Sequence, residues 1–242
     1  MRQRKAKKLP ERILELAGGE WLTPEEQKGK WQELFKNKQP LFLELGCGKG
    51  QFIIEMAKRH PDRNYIAVEG QCTVILRALE KARGIEPKSA ESWKEPDFPE
   101  VENQEIEDAV YAAGDNLVFV NAFMRGVDKY FEEEELDGIF LNFSDPWPKI
   151  RHAKRRLTHT LFLDSYKRVL KKWSAIEFKS DNDPLFEFSV NEFEKNGLLL
   201  LEISRDLHND PADHEASHVC TEYEDKFAAK GKNINYCKAI VL

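Results

Sequence analysis

The run Glu44-Leu-Gly-Cys-Gly-Lys-Gly50 puts glycines at alternate positions directly after the apolar stretch Leu41 to Leu45. Without a Cβ the backbone can turn sharply there and approach a ligand closely. The spacing is GxGxG, not the GxGxxG of a dinucleotide-binding turn. Glu69 closes the next apolar run, where a carboxylate can accept hydrogen bonds from both hydroxyls of a ribose. Asn121 closes a third run and places a carboxamide there. These residue types in this order suit a nucleoside ligand.

A second segment, Phe143-Ser-Asp-Pro-Trp-Pro-Lys149, leaves a fourth apolar run and sets a carboxylate, a rigid turn, an aromatic plane and an ammonium side by side. Prolines on either side of Trp147 restrict the backbone and hold Asp145 near one place, the kind of preorganisation a group transfer uses. Arg151-His-Ala-Lys-Arg-Arg156 follows, so five Lys or Arg residues fall between Lys149 and Arg156. A basic cluster of this density beside a reactive turn favours a polyanionic substrate. Trp147 is suited equally to stacking on an unpaired base and to packing its own loop.

The elements that must position these groups are short strands alternating with helices. Residues 41–45, 65–69, 117–121, 138–143 and 175–179 read as strands, and 198–204 and 235–241 complete a sheet of seven. Helical spacing follows the glycine turn at Phe52, Ile53, Met56 and Ala57, and recurs at 74–82, 124–131, 161–172 and 185–195. That alternation predicts an α/β fold: a mostly parallel sheet with helices on both faces and its binding crevice at the carboxyl ends of the strands. Residues 1–40 read as a basic N-terminal arm and leading helix, and 41–242 as one domain. Within it, 85–114 reads as an acidic surface insertion with a helical turn near Ile106 to Ala113.

Taken together, NFSDPWPKIRHAKRR closely resembles the signature of the bacterial tRNA (guanine-N7-)-methyltransferase family, and the E-x-G-x-G-x-G turn resembles motif I of class I methyltransferases. Downstream, Phe178-Lys-Ser-Asp181 and Thr221-Glu-Tyr-Glu-Asp-Lys-Phe227 resemble the family's FKTD and T-x-[YF]-E segments. The resemblance implies a Rossmann-like class I fold and methyl transfer from S-adenosylmethionine to N7 of guanosine 46 in the tRNA variable loop. It also implies that Glu44, Gly46, Gly48, Glu69, Asn121 and Asp145 line the cofactor pocket, with Asp145 catalytic. Lys149, Asp181, Thr221 and Glu224 would meet the substrate, and Arg151, His152, Lys154, Arg155 and Arg156 the RNA. Ser180 departs from the family's usual Thr, Asn121 from the Asp of many members, and residues 85–114 have no counterpart in the pattern. The alternatives are a methyltransferase acting on a base amino group, whose [DN]PP[YF] motif is similar to Asp145-Pro-Trp147, and a non-catalytic RNA-binding protein.

Composition is compatible with an RNA partner once charge is located along the chain. The net charge of the 242 residues is -6, but Gly84 to Asp115 carry a local balance of -8, leaving +2 elsewhere. The apolar runs are far too short to span a bilayer, and no apolar stretch follows the basic N-terminus, so neither a membrane anchor nor a secretory signal is expected. The four cysteines lie far apart, which fits reduced thiols and a cytoplasmic protein. His208, His214, His218 and Cys220 are of metal-ligating types, but their spacing matches no common zinc pattern and no metal is expected. Monomer and homodimer are both left open.

Overall fold

In the computed structural model, which describes residues 22–85, 109–124, 126–229 and 231–242, the apolar runs pair into one eight-stranded sheet. Its strands are β1 (Leu41–Leu45), β2 (Asn64–Glu69), β3 (Ala109–Ala112), β4 (Leu117–Asn121), β5 (Leu136–Asn142), β6 (Leu170–Ser180), β7 (Leu199–Ser204) and β8 (Asn235–Ile240). They lie in the order β3-β4-β2-β1-β5-β6-β8-β7. From β4 through β6 the pairing is parallel, whereas β3 joins β4, and β8 joins both β6 and β7, antiparallel.

Both faces of the parallel strands are covered, as their near-continuous apolar character requires. Alternation along β2 sends Ile66 and Val68 into one core, with Leu163 and Tyr166 of α3 (Thr160–Val169) and Leu185 and Phe193 of α4 (Asp183–Lys195). Tyr65 and Ala67 enter the other core, with Phe52 and Ile53 of α1 (Gln51–Arg59) and Ile75 and Leu79 of α2 (Cys72–Ala82). A further helix, α5 (Glu222–Ala228), precedes β8. The chain leaves β1 to one side to build β2 and β4, then returns to its other side for β5. This switch opens a crevice beyond the carboxyl end of β1.

The sheet has eight strands rather than the expected seven because Ala109–Ala112 forms an edge strand where a helical turn was expected. Four residues are too few to display a period, but β4 presents an open edge, and Val110 and Tyr111 bury themselves in the cores on opposite faces of the sheet. Leu22 bridges to Val110 on its outer side. The remainder of the acidic segment, 86–108, and the basic arm 1–21 lie outside the described residues. Within 22–40 two 3₁₀ turns occur, Pro24–Gln27 and Trp31–Leu34, and Trp31 is wholly buried with its Nε1 donating to the Tyr130 carbonyl at 2.8 Å. Trp31 and Phe35 thus anchor this stretch to the core. The helix expected over 124–131 reduces to the single 3₁₀ turn Val127–Lys129, entered through Gly126 at φ 88°. The helix expected over 161–172 ends at Val169 because Leu170 already pairs with Leu136 of β5.

Candidate active site

The carboxyl ends of β1, β2, β4, β5 and β6 bring Glu44, Glu69, Asn121, Asp145 and Asp181 to one rim of the sheet. The glycine turn joins β1 to α1 with Gly46 at φ 81° and Gly48 at φ 56°, a region closed to most side chains. A Cβ on either glycine would meet nothing within 4 Å, so it is the left-handed backbone and not crowding that calls for glycine, and the space above the turn is open. The turn is tied to β2 by the amides of Gly46 and Cys47, which both donate to the Val68 carbonyl, at 2.8 and 2.9 Å.

Glu69 accepts from the Gly48 amide at 3.2 Å on one oxygen and from the Gln71 amide at 2.9 Å on the other. Burial still holds its carboxyl above the usual range, and the charge of Asp145 adds to that effect. Asn121 donates its amide to the Glu69 carbonyl at 2.8 Å, locking the ends of β4 and β2 together.

Glu44 is 1% exposed. One oxygen accepts from Asn142 Nδ2 at 2.9 Å, while the other, Oε2, has no hydrogen-bond partner. Desolvation pushes its carboxyl up to about 7, against the lowering effects of Asn142 and Lys179. A buried carboxylate oxygen left unpaired is costly to the fold and is suited to a cation supplied by a ligand.

Asp145 itself is exposed, at the start of a turn that departs from ordinary backbone at both Phe143 (φ 51°) and Trp147 (φ 41°). Such strain persists only where surrounding contacts over-determine it: the Phe143 amide donates to the Lys179 carbonyl at 3.0 Å, and Arg156 holds the Trp147 end. Its Nε donates to the Pro146 carbonyl at 3.0 Å, its Nη2 donates to the Trp147 carbonyl at 3.2 Å, and its guanidinium lies 4.3 Å from the Phe188 ring centroid. Arg156, expected on RNA, is thus turned inward, because a planar fork can satisfy two backbone carbonyls at once. Arg155 lies over the Trp147 ring at 4.8 Å and His152 meets its edge at 5.8 Å, so Trp147 packs its own loop. Lys149, Arg151, Lys154 and Arg155 are exposed around the 3₁₀ turn Ile150–Arg155.

Glu224, expected at the substrate, is fully enclosed instead. Its carboxylate accepts from buried Lys179 at 3.1 and 3.3 Å and lies 3.0 Å from His208 Nε2. It also forms a reciprocal cap with Thr221: the Glu224 amide donates to Thr221 Oγ1 at 2.9 Å, and the Thr221 amide donates to Glu224 Oε2 at 3.2 Å. Nothing in the spacing of Lys179 and Glu224 announced this pair. His208, Cys220 and Glu224 do come within 4.8 Å of one another, but the Glu224 oxygens are already engaged. His214 pairs with Glu202 and Asp210, and His218 with Asp213.

Among the described residues no helix is long and apolar enough to cross a membrane. The pattern of a family described as "Putative methyltransferase" matches residues 38–237. Curated relatives include the tRNA (guanine-N(7)-)-methyltransferase of Geobacillus sp. (strain WCH70), 43% identical over 216 residues that cover 89% of this chain and 84% of that one. Proteins of the same name from Clostridioides difficile and Listeria welshimeri are 42% and 44% identical, covering 88% and 86% of this chain and 85% and 84% of theirs. Among solved structures, an antibiotic-related methyltransferase (TM-score 0.55, 14% identity, covering 100% of this chain and 96% of that one) has the same fold. So does the 16S rRNA methyltransferase KamB (TM-score 0.57, 12% identity, 88% and 94% covered).

Proposed function

The chain belongs to the tRNA (guanine-N7-)-methyltransferase family, and from that premise we propose that it transfers a methyl group from S-adenosylmethionine to N7 of guanosine 46 in the tRNA variable loop. The observation that carries this reading is the juxtaposition, along one sheet rim, of the glycine turn with its unpaired Glu44 oxygen and the Arg156-clamped turn bearing Asp145. S-adenosylmethionine supplies an activated methyl group on a sulfonium sulfur. Glu44 suits its ammonium, Glu69 its ribose hydroxyls, and Asn121 its purine edge, while Gly46 and Gly48 leave the backbone open to it.

Guanine N7 carries an in-plane lone pair and is unprotonated at neutral pH, so no residue has to act as a base before it attacks. The chain's work is alignment and electrostatics. Methylation makes the purine cationic, and Asp145 stabilises that charge as it develops. Asp181 accepts from the guanine donors, Thr221 and Lys149 approach the same nucleotide, and Glu224 acts through Thr221 by holding the start of α5. To test the reading, unmodified tRNA is incubated with the enzyme and methyl-labelled donor and the modified nucleotide is mapped. Label at one guanine N7 is expected; label on an exocyclic amino group would overturn it.

The outward and inward arginines should separate. Arg155→Ala is expected to weaken tRNA binding and to lower its salt slope by about one ion, as removing one phosphate contact does. Arg156→Ala should leave the salt slope unchanged and slow transfer at saturating tRNA roughly tenfold, about 1.4 kcal/mol of lost positioning. Filter binding at several salt concentrations beside single-turnover rates measures both; equal salt effects in the two variants would refute the division of labour.

A further inference from the structure

At the end of β6 the Asp181 side chain is only 13% exposed, and its Oδ2 accepts from Lys232 Nζ at 2.9 Å. The ammonium also lies 5.5 Å from the Phe227 ring centroid. Phe227 stacks on Tyr223 at 4.3 Å, and Tyr223 packs on Phe143 at 5.2 Å, two residues before Asp145. An aromatic row thus runs from the Asp145 turn to the Asp181–Lys232 pair. The pair lines a cavity of about 580 Å³ in which the other charged groups are already engaged: Arg205 with Glu187, and Asp183 with Asn235 at 2.8 Å.

An ion pair whose ammonium is half-exposed contributes little to folding, but a carboxylate beside an ammonium is the complement of one particular base edge. Guanine presents an acceptor at O6 and donors at N1 and N2, whereas adenine offers a donor at its 6-position and an acceptor at N1. A carboxylate has lone pairs enough to keep Lys232 and still accept from two base donors. Resting on the reading of Asp181 given above, we propose that Lys232 is a specificity-determining residue of this enzyme, donating to guanine O6 while Asp181 accepts from N1–H and N2–H. The pair rejects a base with the opposite pattern, because both of its charges would then face groups of their own kind.

The test uses tRNA transcripts whose target guanosine is replaced by 2,6-diaminopurine riboside, which keeps N7 but reverses the pattern at positions 6 and 1. Wild-type kcat/KM should favour guanine by about a thousandfold or more, the discrimination expected of a site built to pair polar groups. Lys232→Met should lower kcat/KM for guanine about 10- to 100-fold and leave that for diaminopurine unchanged or raised, with the salt slope of tRNA binding as in wild type. Lys232→Arg should retain part of the preference, since it still donates. An equal fall on both bases, or a flatter salt slope in Lys232→Met, would overturn the proposal, making Lys232 a phosphate contact or a structural residue. Failure of the wild type to methylate guanine N7 at all would instead overturn the proposed function and this inference with it.

Discussion

Asp145→Asn is expected to slow single-turnover methyl transfer about a hundredfold or more while leaving the fold and tRNA affinity close to wild type. The size follows from the cost of removing one preorganised electrostatic partner from a transfer reaction, about 3 kcal/mol. Asp145 is exposed at the rim of the sheet, and its charge contributes to holding the Glu69 carboxyl above its usual range. Replacing it with a neutral amide removes that repulsion, so the melting temperature should be unchanged or slightly higher. Affinity for tRNA is expected to rest mainly on phosphate contacts made elsewhere. If Asp145 only capped the turn, the variant would lose stability and the folded fraction would keep its rate. Melting temperature and single-turnover rate measured on one preparation separate these outcomes, and a rate within a few-fold of wild type would rule out the catalytic role.

The groups nearest in sequence to their own strand ends were the legible ones. Glu44, Glu69 and Asn121 each lie at or one residue inside the end of an apolar run, and a parallel sheet delivers the carboxyl ends of such runs to one crevice, so order along the chain translated into place. Partners that meet across the fold carried no such signal. Asn142 meets Glu44 from 98 residues away, and Lys179 meets Glu224 from 45. Arg156 shows a different limit: counting charge in a basic run says nothing of direction, and the backbone strain at Trp147 that creates the need for a clamp is invisible in composition. The β3 edge strand was missed because its pairing is supplied by β4 and Leu22, not by any period of its own.

Glu44→Gln is expected to stabilise the ligand-free protein at alkaline pH while weakening S-adenosylmethionine binding. Burial raises the Glu44 carboxyl from 4.5 to about 7 in the fold. Between those values the folded chain holds a proton that the unfolded chain has released, so stability falls as pH rises through the interval. The loss levels off above the upper value. At about 1.36 kcal/mol per pH unit the full interval is worth about 3 kcal/mol. Glutamine avoids the buried charge, and its oxygen can still accept from Asn142. Its amide nitrogen then occupies the unpartnered Oε2 position, at a cost of about 1 kcal/mol or more. A net gain of about 1 to 2 kcal/mol at pH 8 should raise the melting temperature by roughly 2 to 8 °C, and the gain should vanish near pH 5. The same replacement removes the charge proposed for the ligand's ammonium, so calorimetric affinity should fall about 10- to 100-fold, the worth of a charge-assisted hydrogen bond. In the wild type, ligand-induced stabilisation should be larger at pH 8 than at pH 6, because binding favours the ionised carboxylate; in Glu44→Gln that difference should largely disappear. A variant that melts lower than wild type at pH 8, or one that binds the ligand as tightly, would show that Glu44 is not a charge held in reserve for a ligand but an ordinary part of the core.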